Sequence, residues 1–132
     1  MGLNGTLRGK TYPPVVFEIK EERARAFASA VAHTGEGVPP TLATAPEIAA
    51  GLANVIGDPE LGLQLSSVLH GEQEYVWTRA LRVGETVSAE ATIESIRGRA
   101  SMRFLTLRTL LRDEAGETVV VGRSTLIVRE DG

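Results

Sequence analysis

The sequence predicts an α+β domain in which a curved antiparallel sheet wraps a central helix. Three observations carry this. Two helical segments come first and a run of strands follows, the order expected of an α+β domain with a mostly antiparallel sheet. The second helical segment, Ile48 to Ile56, is apolar almost all the way round, and such a helix must be enclosed by other elements. Four long strands follow it, and curling around the helix lets one face of a single sheet do the enclosing.

Each element has its own signal. Residues 12 to 19 read as a short strand, with Pro13 and Pro14 ahead of Val15, Val16 and Phe17, before the ladder needs donors. Glu21 and Glu22 place acid in the first turn of a helix. Ala24, Phe27, Ala28, Val31 and Ala32 then recur at helical spacing as one apolar stripe, and Gly35 supplies a stop. Thr44-Ala45-Pro46-Glu47 reads as a capping box, Thr44 at the N-cap and Glu47 three residues on. The helix it opens is about 18 Å long at 1.5 Å per residue. Its alanines and Gly51 admit a close sheet, and Gly57 with Asp58-Pro59 ends it. Residues 67 to 79 form one long strand. Val87, Ala89, Ala91 and Ile93 alternate with Ser88, Glu90, Thr92 and Glu94, a period of two. A turn near Gly98 leads to a strand over 101 to 111. Asp113-Glu114-Ala115-Gly116 reads as a hairpin loop before the last strand, 117 to 129.

The 132 residues argue for one domain, 1–132, able to bury a core without staples. There is no cysteine, which excludes disulfides, thiolate metal sites and a cysteine nucleophile. No run of eighteen apolar residues spans a membrane. Met1 to Lys10 holds no apolar signal core, so the expected location is cytoplasmic. The net charge of −3 and a pI near 5.4 argue against nucleic acid. Arg97, Arg99, Arg103, Arg108 and Arg112 are either the solvated face of a hairpin or an anchor for the phosphates of a carrier such as coenzyme A. No Walker loop, dinucleotide fingerprint or Gly-x-Ser-x-Gly is present.

Several stretches together resemble one family. They are Tyr12-Pro13-Pro14, Pro39-Pro40-Thr41 before the apolar helix, and Leu69-His70-Gly71-Glu72-Gln73-Glu74-Tyr75. Arg82-Val83-Gly84-Glu85-Thr86, and Gly116-Glu117 with Gly122-Arg123-Ser124-Thr125, complete the set. In order and spacing they resemble the MaoC-like dehydratases, nearest to the short subunits of 3-hydroxyacyl-carrier-protein dehydratase. The resemblance implies a hot-dog fold, usually dimeric. It implies an acyl thioester substrate, on coenzyme A or acyl carrier protein, with the acyl chain beside the central helix. No cofactor is expected; His70 with two acids at alternate positions could suggest a metal, but the sequence offers no third convergent ligand, so no metal is expected. Catalytic members carry Asp and His in a loop of the form Asp-x-Asn-Pro-x-His, which moves the protons of hydration or dehydration. Here the corresponding stretch is Ala32-His33-Thr34-Gly35-Glu36-Gly37-Val38, running straight into Pro39-Pro40-Thr41. It is too short for that motif. The reading that follows is an acyl-binding subunit, a homodimer or a heterodimer with a motif-bearing partner that supplies the acid–base pair.

Candidate residues fall into three groups. His33 and Glu36 are either a replacement acid–base pair or a histidine favoured by a helix C-terminus beside a solvated glutamate. His70, Gly71, Glu72 and Gln73 either border the thioester site or form a satisfied polar network. With strict alternation His70, Glu72 and Glu74 share one face, and Gln73 shares the other with Leu69, Tyr75 and Trp77. Glycine at 71 permits a bulge. Pro40 and Thr41, before the helix start at Ala45, either present donors to a thioester carbonyl or are capping chemistry. Tyr75 and Trp77 are expected in the core or an interface. The alternatives in function are a hot-dog thioesterase using Glu36 or Glu72 to activate water, and an acyl-binding scaffold with no chemistry.

Overall fold

A computed structural model of the protein describes residues 3–35, 37–99 and 101–129. Five strands form one antiparallel sheet: β1 Val15–Glu18, β2 Val68–Trp77, β3 Thr86–Arg99, β4 Met102–Arg112 and β5 Thr118–Arg129. Their spatial order is β1-β3-β4-β5-β2. The period-two run in β3 does what it predicts: Val87, Ala89, Ala91 and Ile93 are fully buried. Leu105, Leu107, Thr109 and Leu111 do the same in β4. Asp113 closes the β4–β5 hairpin, its Oδ1 accepting from the amides of Ala115 and Glu117, both at 3.0 Å.

The inward faces of these strands hold the central helix. It begins earlier than the capping box predicts. A 3₁₀ turn, Pro40–Ala43, leads directly into α2, Thr44–Glu47, then a π turn, Ile48–Leu52, then α3, Ala53–Ile56. Helix α1, Glu21–Ala30, precedes them. Pro40 at the first position lacks only a donor that a helix start does not need. Thr44 therefore lies inside a helix already under way, at φ −59° and ψ −34°. It caps nothing, and Glu47 is released from the box. This is a correction with a consequence for the site. Ala50 and Val55 of the helix are fully buried against the sheet. The helix is not dry all round, however. Ile48 is 46% exposed and Ile56 37%, so one side lies open in the single chain.

Smaller differences share a local cause. The first strand is shorter than 12–19: Pro13 and Pro14 have no amide donors, and ahead of them the Tyr12 amide bonds the Ala91 carbonyl at 2.9 Å beside an isolated Thr11–Thr92 bridge. Helix α1 ends at Ala30 with Ala32 in the left-handed region, φ 55°, so Gly35 is not its stop. The N-terminal arm is pinned to the end of the central helix. Asp58 accepts from Lys10 Nζ and from the Tyr12 hydroxyl, each at 2.7 Å, and from the Glu60 amide at 2.9 Å. The β2–β3 turn is held by Arg79, whose guanidinium donates both ways to Glu85 at 2.9 and 2.8 Å.

Gly51 lies in the π turn, buried, where a β-carbon would stand 3.5 Å from Ala91 Cβ and Leu107 Cδ1, ordinary contact distance. Glycine inside a helix costs roughly 0.5–1 kcal/mol relative to alanine. Gly51→Ala is expected to recover about that amount, read as a higher midpoint in urea.

Candidate functional site

A cavity of about 260 Å³ lies between the central helix and the sheet. Ile48, Leu52, Val68, Leu107 and Leu126 give it apolar walls. Thr44, Glu47, His70, Gln73, Thr109 and Ser124 bring polar groups to it. Its mouth is on the β2 side, where His70 and Gln73 are exposed. Beta-2 ends the sheet, so the backbone beside this mouth is a free edge.

Glu47 is the chemical centre. It is 5% exposed, and burial pushes its carboxyl above the ordinary glutamate range, against hydrogen bonds from Tyr75 and Gln73 and the field of His70. The Tyr75 hydroxyl donates to Glu47 Oε1 at 2.7 Å and Gln73 Nε2 donates to Oε2 at 2.9 Å. Tyr75 spends its proton on Glu47, so Thr44 Oγ1, 2.7 Å away, donates to the Tyr75 oxygen. Desolvation, with the Glu47 charge alongside, raises the Tyr75 phenol too, despite Thr44. The carboxylate thus receives two protein donors and keeps lone pairs free.

Two glycines make the space. Gly122 of β5 pairs with Tyr75 on one side and Thr109 on the other. A β-carbon there would overlap the Glu47 carboxylate and stand 3.2 Å from Tyr75 Cε1. Gly71 forms a β-bulge: His70 pairs with Leu126, and Glu72 already with Thr125. The extra residue reverses the alternation upstream of it. His70 therefore lines the cavity with Gln73, where its Nε2 lies 3.1 Å from the Glu72 carbonyl and 3.0 Å from Ser124 Oγ. Glu72 and Glu74 face the other side, in a cleft with Glu94, Arg97 and Arg123. The expectation that His70, Glu72 and Glu74 share a face is corrected by that bulge. Leu69 likewise parts from Tyr75 and Trp77 and points outward, 63% exposed.

The other candidates are dispersed. His33 is half-buried in the turn after α1, its Nε2 without a hydrogen-bond partner, and does not line the cavity. Glu36 lies outside the described residues. Pro40 and Thr41 are exposed on the 3₁₀ turn, away from the cavity lining. The Tyr75 and Trp77 rings meet at a 45° tilt, with centroids 5.2 Å apart. The Arg99 side chain lies outside the described residues, and three of the other arginines have separate surroundings. Arg103 donates to the Leu3 carbonyl at 2.9 Å, Arg112 pairs with Glu90 at 3.5 Å, and Arg97 lines the outer cleft. Among the described residues no group of three or more His, Cys, Asp or Glu converges as a metal site. No helix among them is long and apolar enough to cross a membrane.

Sequence reasoning missed Glu47, Thr44, Thr109 and Gly122 as a site. One signal was available: a single acid in an otherwise apolar helix, one turn before Gly51.

A sheet curled around a central helix, with a part-polar cavity between them, defines a hot-dog domain. Comparison with solved structures agrees. A chain of the C-terminally truncated HadBC (3R-hydroxyacyl-ACP dehydratase) complex of Mycobacterium tuberculosis superposes at a TM-score of 0.78, with 22% identity over 92% of this chain and 96% of that one. The MaoC-like dehydratase of Rhodospirillum rubrum gives a TM-score of 0.65 at 15% identity, over 95% and 94%. In sequence, residues 6–121 match the family described as FAS1-like, dehydratase domain region, and the chain belongs to that family. A UPF0336 protein of Streptomyces coelicolor is 34% identical over 146 residues, covering 98% of this chain and 97% of that protein. That match is longer than the 132 residues present here, so the relative carries at least 14 residues (146 less 132) without a counterpart.

Proposed function

We propose that this chain is the acyl-binding subunit of an acyl-thioester hydratase or dehydratase, working with a second hot-dog chain that supplies the acid–base pair. One observation carries the reading: an apolar-walled cavity on the central helix opens beside the free edge of β2. A sheet edge of ten residues is a template for another strand. Exposed Leu69, Val76 and Trp77 on β2, with Ile48 on the helix, add apolar surface near it. Pairing at that edge would bring a partner's residues to the cavity mouth. His70, Gly71 and Gln73 would then border the thioester while the acyl chain runs inward along Gly51 and Leu107. The family supports the reaction class, and the mycobacterial neighbour is itself a 3R-hydroxyacyl-ACP dehydratase complex. The stretch between α1 and the 3₁₀ turn holds no Asp-x-Asn-Pro-x-His, which favours a partner as the source of the pair.

The test is reconstitution. Alone, the chain is expected to bind crotonyl-coenzyme A in calorimetry without hydrating it; mixed with a motif-bearing hot-dog subunit, it is expected to form a 1:1 complex that turns over. Full turnover by the isolated chain, or no binding and no complex, would reject the reading.

A second reading, thioester hydrolysis, draws support from Glu47, a buried carboxylate with free lone pairs in the cavity. Glu72 faces away from the cavity, so the role moves to Glu47. Free thiol released from acyl-coenzyme A by the isolated chain, and lost in Glu47→Gln, would favour it.

A further inference from the structure

The cavity is more polar than a hydrocarbon tail requires. Thr109 lies on β4 between Leu107 and Leu111, 1% exposed; the residue lines the cavity, and its buried Oγ1 has no hydrogen-bond partner. A buried hydroxyl left unpaired costs stability, and valine would fill the same volume. Glu47 stands one turn of helix from Gly51 on the same face, and a β-carbon on Gly51 would stand 3.6 Å from Thr109 Oγ1. The acceptor of Glu47 and the unused hydroxyl of Thr109 therefore belong to one stretch of cavity wall. Apolar Leu107 and Leu126 lie beside them.

We propose that the acyl chain taken by this cavity carries a hydroxyl group on its buried part, bonded by Glu47 and Thr109. This rests on the acyl-thioester reading above. There the reacting carbons lie at the partner's acid–base pair, so the group recognised here is a second oxygen, further along the chain. The chemistry narrows the class. A plain hydrocarbon strips water from Glu47, leaves Thr109 as unpaired as before and returns nothing. A terminal carboxylate meets the Glu47 charge. A ketone has no proton for Glu47, which already receives donors from Tyr75 and Gln73. A hydroxyl donates to the carboxylate and can also bond Thr109, as acceptor or donor.

Calorimetry on the full chain decides it, with a twelve-carbon acyl-coenzyme A and the positional isomers of its monohydroxylated derivative that carry the hydroxyl beyond the β-carbon. At least one isomer is expected to bind roughly ten-fold more tightly than the unsubstituted chain, the scale of one well-made hydrogen bond. Thr109→Val is expected to cut that ratio to about two-fold or less, keep the affinity for the plain chain, and raise the unfolding temperature. Thr109→Ser, which keeps the hydroxyl, is expected to retain the preference. If every isomer binds no better than the plain chain, or Thr109→Val leaves the ratio unchanged, this inference fails while the acyl reading stands. If no acyl-coenzyme A binds at all, both fall.

Discussion

Gly122→Ala is expected to destabilise the protein by about 1–3 kcal/mol, the usual cost of a methyl forced into a filled site, and to impair acyl binding. The new methyl would overlap the Glu47 carboxylate and press on Tyr75. Glu47 is a flexible side chain and can swing away, but only by giving up the donors that hold it, Tyr75 and Gln73. The damage should therefore fall on the site more than on the fold. A double-mutant cycle separates this from a general strand defect. In a Glu47→Ala background the methyl has no carboxylate to meet and only the contact with Tyr75 remains, so Gly122→Ala should then cost less, a coupling of about 1 kcal/mol or more. Equal costs in both backgrounds would show that Gly122 does not make the seat for Glu47.

The second large effect is structural. Asp58→Ala is expected to cost about 2–3 kcal/mol, because the buried Tyr12 hydroxyl and the Glu60 amide lose a charged acceptor. That corresponds to roughly 10 °C in unfolding temperature for a domain of this size. The pH dependence has a definite sign. Hydrogen bonding from Lys10, then from Tyr12 and the Glu60 amide, holds the Asp58 carboxyl below its ordinary value against its desolvation. A carboxyl depressed in the folded state contributes stability that is complete above the unfolded value, about 3.9, and lost as pH falls below it. Wild-type stability should therefore decline below about pH 4, and the variant should decline less steeply. Some acid sensitivity will remain in the variant, since Glu85 beside Arg79, and Asp113 through the Glu117 amide, are lowered as well. Urea titrations at pH 3, 5 and 7 would show it; parallel pH profiles for the two proteins would refute the assignment.

Most of the architecture was legible because period and composition report burial directly. The alternation of Val87 to Ile93 and the small apolar residues of 48–56 could satisfy themselves only as a sheet around a helix. The site was harder because it depends on departures from period. Thr44 and Glu47 match a capping box in residue type and spacing, and only the earlier 3₁₀ start at Pro40 frees Glu47 for the cavity. Strict alternation put His70 with Glu72, and one bulge separated them. The π turn over Ile48–Leu52, a geometry frequent at functional sites, has no distinct residue signature. Gly122 reads as a weak strand residue until the carboxylate it seats is seen.

The bulge at Gly71 also acts as a reading frame for its strand. A β-carbon there would come within 2.9 Å of Ile127 Cδ1, so any larger frame-setting residue must push the Ile127 side chain aside. Excising that one residue would leave every neighbouring letter intact and still exchange inside for outside along residues 68–70 relative to 72–77. In chains built to this plan, the number of residues between the two halves of the strand decides whether a histidine looks into the cavity, whatever the identity of its neighbours.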